Sequence, residues 1–122
     1  MQLVNITTKR NEDFCLTLRI NQGDEPFYIA GAMFYMDIKN KDSGSMKIAT
    51  LSNDNTYTKQ GSIYIVDASK AKIKLFLGKE YLQEKKFVNT WKYDLIMRQY
   101  NTYFNIMRGS FTVQDAVTDV EM

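Results

Sequence analysis

Phe14-Cys15-Leu16-Thr17-Leu18-Arg19-Ile20 sets a large apolar side chain at every even position and a smaller or polar one at every odd position. Successive side chains of an extended strand point to opposite faces, so this stretch reads as a strand with one face buried. A helix, with its period of about 3.6 residues, would scatter the same four apolar side chains around its axis. Asn21-Gln22-Gly23-Asp24 follows, supplying the backbone freedom and local hydrogen bonds of a turn.

The same pattern recurs on both sides of that stretch. Residues 3–7 predict a short first strand. Phe34, Met36 and Ile38 alternate with Tyr35, Asp37 and Lys39, a polar break covers 40–45, and 46–51 reads as the returning strand. Ile63 and Ile65 alternate with Tyr64 and Val66, and Asp67-Ala68-Ser69-Lys70 turns the chain toward Ile73, Leu75 and Leu77. Trp91, Tyr93, Leu95 and Met97 line one face of a strand whose other face carries Lys92, Asp94 and Ile96. A turn at 98–101 leads into one long strand over 103–113, where Gly109 predicts a bulge or bend. Only 79–86 looks helical, and a segment that short holds no more than a turn or two. The expectation is one all-β domain over 1–122: an antiparallel, immunoglobulin-like β-sandwich of seven to eight strands with a short arm at each end. Its core would be Phe14, Leu16, Leu18, Phe34, Met36, Ile38, Ile63, Ile65, Ile73, Leu75, Trp91, Tyr93, Leu95, Phe104, Ile106, Phe111 and Val113.

Composition narrows the chemistry. With no histidine and one cysteine, Cys15, the chain lacks the parts of a histidine-assisted nucleophile, a histidine metal site or an internal disulfide. Sixteen basic and 14 acidic residues leave a net charge of +2, too balanced for a dedicated nucleic-acid binder. Lys70, Lys72, Lys74, Lys79, Lys85 and Lys86 read as a solvated face guarding a strand edge. The aspartates, including Asp37, Asp42, Asp54, Asp67 and Asp94, stand in no calcium-loop spacing, and Asp94 is expected to face Arg98 or Arg108 across the sheet. No apolar run approaches the roughly 20 residues of a membrane-spanning helix, and the first residues lack the pattern of a signal peptide. No enzyme, cofactor, metal or membrane role is expected.

The eight tyrosines are the main candidates for function. Tyr28, Tyr35, Tyr57, Tyr64, Tyr100 and Tyr103 fall in loops or on outward strand phases, where tyrosine gives contact area at low entropic cost. Tyr35, Tyr64 and Tyr103 are expected to cluster. Leu3, Val4 and Ile6 in the first arm, and 117–122 in the last, would add strands to neighbouring subunits. Deleting 1–8 is then expected to weaken assembly and leave the core folded.

Several stretches together resemble a known family. Asn11-Glu12-Asp13-Phe14-Cys15-Leu16-Thr17-Leu18 resembles an opening strand after a polar turn, and Ile29-Ala30-Gly31-Ala32 with 33–39 resembles a bend and second strand. Ile73-Lys74-Leu75, Tyr93-Asp94-Leu95 and Ile106-Met107-Arg108-Gly109 leading to Phe111-Thr112-Val113 and Ala116-Val117-Thr118 follow in order. From about 9 to 118 the chain is similar to the small β-sandwich domains of tailed-bacteriophage virion proteins, such as the amino-terminal domains of baseplate upper proteins. The resemblance implies a virion structural protein, made in the host cytoplasm, that docks other virion proteins in the tail, baseplate or neck as repeated copies. A head-decoration protein or a carbohydrate-binding module is the alternative.

Overall fold

The computed structural model describes residues 2–39, 47–82 and 90–114. Its elements are β1 (Gln2–Leu3), β2 (Ile6–Lys9), β3 (Phe14–Arg19), β4 (Asn21–Gln22), β5 (Glu25–Pro26), β6 (Met33–Lys39), β7 (Lys47–Ser52), β8 (Gly61–Asp67), β9 (Lys72–Leu77), α1 (Lys79–Leu82), β10 (Thr90–Gln99) and β11 (Thr102–Gln114). The protein is all-β, as the alternation predicts. The expected helix over 79–86 is present at Lys79–Leu82, and its remainder lies outside the described residues, as do the 40–45 loop and the 117–122 arm.

The sheet differs from the antiparallel expectation. One nine-stranded ladder runs β1-β11-β10-β6-β7-β8-β9-β3, with β2 also pairing β11, while β4 and β5 form a separate hairpin. β1 and β2 run parallel to β11, and β7 runs parallel to β8, so the sheet is mixed and curls into a half-barrel. The two halves of the ladder join through a short pairing of Leu51 and Ser52 with Gly61 and Ser62. Curling is the physical answer to a single apolar face, which stays wet unless something covers it. Here the sheet covers itself. Phe14 of β3 and Phe111 of β11 lie at opposite ends of the ladder, yet their rings meet edge to face with centroids 5.2 Å apart. Phe34, Met36, Ile38, Leu51, Ile73, Leu75, Leu77 and Leu95 are fully buried between them.

The first arm is part of this core. Ile6 is 6% exposed and sits beside Phe111 in the parallel register, so it is not the docking residue the sequence suggests. Val4 is partly buried, its N–H donates to the Arg108 carbonyl at 2.8 Å, and its own carbonyl accepts from the Tyr93 hydroxyl at 2.6 Å. Burial pushes that hydroxyl up to about 12, which keeps it a proton donor across the ordinary pH range. The Ser110 N–H donates to Asn5 Oδ1 at 3.1 Å. Of the three arm candidates only Leu3, at 72% exposure, remains a surface residue.

Gly109 also has a different role from the one predicted. The register slips between Leu95 and Ile96, opposite Ile106, so the bulge lies three residues earlier and turns Met107 into the core. Gly109 is cross-strand from Tyr93, and a Cβ there would collide with the Val4 carbonyl. Its lack of a side chain is what lets the arm lie down. At the opposite end, Lys79 N–H donates to Asp13 Oδ1 at 2.8 Å and Arg10 Nη1 donates to the Leu82 carbonyl at 2.9 Å, seating α1 with Leu82 buried.

Two outcomes follow. Gly109→Ala should lower the free energy of unfolding in urea by about 1–3 kcal/mol, the usual range for overpacking. Deleting 2–8 should destabilise the fold as well, because it strips Ile6 from Phe111; an unchanged urea midpoint in the deletion would mean the arm is not docked in solution.

Candidate functional site

The outward phase of β6, β10 and β11 gathers aromatic and cationic side chains. Tyr35 of β6 is cross-strand from Ile96, and the next outward residue of β10, Arg98, is cross-strand from Tyr103 of β11. The Arg98 guanidinium lies 6.0 Å from the centre of the Tyr35 ring. β10 and β11 are joined through Tyr100 and Asn101, whose φ angles of 53° and 61° are those of a two-residue hairpin turn of the primed kind. Tyr100 projects from that tip at 83% exposure. Gln99, just before it, is buried and donates from Nε2 to the carbonyls of Tyr28 at 3.0 Å and Ala30 at 3.3 Å. That amide fastens the segment bearing exposed Tyr28 to the root of the hairpin.

A crossing loop completes the surface. Because β7 and β8 are parallel, residues 53–60 must return along the sheet, and they do so over the outer side of β7, where Thr50 and Ser52 are buried. Asn53 acts as one more rung of the ladder: Oδ1 accepts from the Phe34 N–H at 2.7 Å and Nδ2 donates to the Ala32 carbonyl at 3.0 Å. Ser52 Oγ donates to the Phe34 carbonyl at 2.7 Å and accepts from the Asp54 N–H at 3.0 Å. Asp54 then takes three bonds, from the Thr56 N–H at 2.9 Å, the Thr56 hydroxyl at 2.7 Å and the Tyr35 hydroxyl at 2.7 Å. Tyr57 meets Tyr35 edge to face at 5.1 Å. Lys47 Nζ sits 3.3 Å from Asp37 Oδ2 and donates to the Tyr57 hydroxyl at 3.4 Å.

These bonds set the charges. The Thr56 and Tyr35 donors hold the Asp54 carboxyl down to about 2, from an ordinary 3.8. Burial, and then the bond to Asp54, pushes the Tyr35 hydroxyl up. The Asp37 carboxylate beside Lys47 raises that ammonium. The result is a set of ordered rings and paired charges. Among the described residues, no three His, Cys, Asp or Glu side chains gather into a metal site.

The expected trio divides. Tyr35 and Tyr103 share this face and Tyr100 stands at the hairpin tip beside it, but Tyr28 is tied through its carbonyl to Gln99, on the inward phase of β10, and Tyr64 stands on β8 opposite Lys74, beyond β7 and its covering loop. Asp94 is cross-strand from Arg108, as expected, and also from Asp37. Sequence reading placed Tyr57 among the candidates but gave no sign of Asp54, Gln99 or Asn53 as the groups that hold the face in order. Asn53 and Gln99 read as loop polarity until their backbone partners are known.

The lowered Asp54 pKa means that the loop gains stability above about pH 4, where the unfolded carboxyl is also ionised, and loses it as pH falls toward 2. In Tyr35→Phe, the Asp54 titration followed by carboxyl NMR should move up toward 3.8; an unmoved midpoint would mean the hydroxyl bond is not formed in solution. No protein-family model matches this chain, and no curated protein matches it significantly.

Proposed function

We propose that this chain is a protein-docking module of a bacteriophage particle, seated on a neighbouring virion protein of the tail, baseplate or neck through the aromatic rim around its β10–β11 hairpin. The observation that carries the docking part is Tyr100. A bulky residue in the left-handed backbone region is uncommon and costs free energy, and Asn or Gly would serve the turn better. Here that position holds a tyrosine at 83% exposure, beside Tyr103 and Arg98. Backbone strain kept at an exposed aromatic is the mark of a side chain selected for contact. Tyrosine and arginine are also the residues that most often anchor protein interfaces.

The particle assignment rests on the sequence resemblance. Within this reading the curled sheet is a variant of the immunoglobulin-like sandwich whose two halves stay joined through the short β7–β8 pairing.

Two measurements test it. Mass spectrometry of purified particles should count the chain at a small symmetric multiple per virion; its absence from clean particles would remove the phage assignment. Tyr100→Asn should raise the free energy of unfolding in urea by up to about 1 kcal/mol of relieved strain, while lowering incorporation into particles. Unchanged incorporation in that stabilised variant would move the docking surface elsewhere.

A further inference from the structure

A row of like charges crosses the outer face at the end away from the β10–β11 hairpin. Lys39 of β6 is cross-strand from Lys92 of β10 on one side and from Lys47 of β7 on the other. Directly opposed side chains start about 4.5–5.5 Å apart, so like charges placed this way repel. Lys47 is relieved, because its Nζ lies 3.3 Å from Asp37 Oδ2, and that carboxylate is thereby used. Lys39 and Lys92 are not relieved: among the described residues neither stands in an ion pair. In the next row Arg108 of β11 is cross-strand from Asp94 of β10, again without forming an ion pair.

These four side chains, together with Leu3, Tyr93 and Gly109, line a dish of about 310 Å³. Lys39 and Asp94 are half-buried in it, and Lys92 and Arg108 stand exposed at its rim. The Tyr93 hydroxyl is already used, donating to the Val4 carbonyl at 2.6 Å. Three cations therefore face one carboxylate. The stretches of chain that leave Lys39 and lead into Thr90, 40–46 and 83–89, carry Lys41, Asp42, Glu84, Lys85 and Lys86, so the sequence brings no surplus of acid to this end.

We propose that the dish is a binding site for inorganic phosphate. The surplus of charge calls for a dianion. Asp94, an acceptor only, calls for a ligand that also offers it a proton. Hydrogen phosphate does both, since its dianion keeps one P–OH. Sulfate has the charge but no proton, and would set bare oxygens against Asp94. A phosphate monoester dianion has the same defect, and a single carboxylate leaves one cation without a partner. The planar guanidinium of Arg108 suits two phosphate oxygens side by side, while Lys39 and Lys92 act as point charges. Occupancy removes the repulsion between Lys39 and Lys92, and so tightens the pairing of the two strands that carry Tyr35 and Arg98. Water and salt screen the exposed Lys92 and Arg108, so binding is weak and falls with ionic strength. The site lies at the opposite end of the outer face from Tyr100 and stands whatever the aromatic rim docks.

The test is a titration of the isotope-labelled protein with sodium phosphate, at constant ionic strength and slightly alkaline pH, followed by amide NMR. Amides of 37–39, 92–94 and 108–109 should shift together along one saturable curve. Sulfate and methyl phosphate should bind at least about tenfold more weakly, the cost of setting an oxygen lone pair against a carboxylate. Lys92→Gln with Arg108→Gln, both at exposed positions, should abolish the phosphate curve. Asp94→Asn, whose amide can donate, should let sulfate bind as tightly as phosphate. The proposal is overturned if phosphate gives no saturable shift, or if its shifts persist in the double variant. Sulfate or methyl phosphate matching phosphate on the unaltered chain would overturn it too, because Asp94 would then select nothing.

Discussion

The contact between Phe14 and Phe111 closes a sheet that has only one apolar face. A flat ladder of these strands would leave that face in water, and the loss would exceed the marginal stability of a domain this size. Bending the ladder until its ends meet buries the face against itself. The geometry then sets everything else: which strands form the edges, where the arm must lie, and which side chains are turned outward. The parallel arm is the near edge of the closure, held by the Tyr93 hydroxyl over a position where only glycine fits.

Outside the core, order comes from side chains that substitute for backbone. Asn53 extends the β6 ladder, Gln99 ties down the segment around Tyr28, and Asp54 holds both its own loop and the Tyr35 ring. Each would be costly to leave unpaired and each is paired. The outer face is therefore arranged before any partner arrives, which removes part of the entropic cost of binding. Tyr35 and Tyr57 are held by their neighbours, whereas Tyr100 and Tyr103 are exposed at and beside the β10–β11 hairpin.

Alternation made most of the strands legible. β3, β6, β9 and β10 fall where apolar residues repeat at every second position, and the inward phase of each was readable for the same reason. Alternation identifies a face but carries no information about partner or direction. That is why the parallel pairing of β1 and β2 on β11, and the single curled ladder in place of two sheets, were not legible. The bulge opposite Ile106 was missed because the apolar run Ile106-Met107 fits either phase, and only the register decides which residue turns inward. Ile29, Ala32 and Leu82 are buried from irregular or helical backbone, where a period of two says nothing. In the candidate site the tyrosines were visible as residues, but their grouping depends on strand order, which separated Tyr64 from the rest.

The pairing of the earliest strands with the last one has a consequence for how the protein is made. The Tyr93–Val4 bond spans 89 positions and the Ser110–Asn5 bond spans 105, so the seat of the first arm does not exist until nearly the whole of β11 has been synthesised. Chains dominated by such distant contacts fold slowly, over about milliseconds to seconds. During translation Leu3, Val4 and Ile6 wait as an unsatisfied apolar strand while the middle of the sheet forms behind them. The arm is therefore open to wrong pairing until Gly109 and its neighbours leave the ribosome.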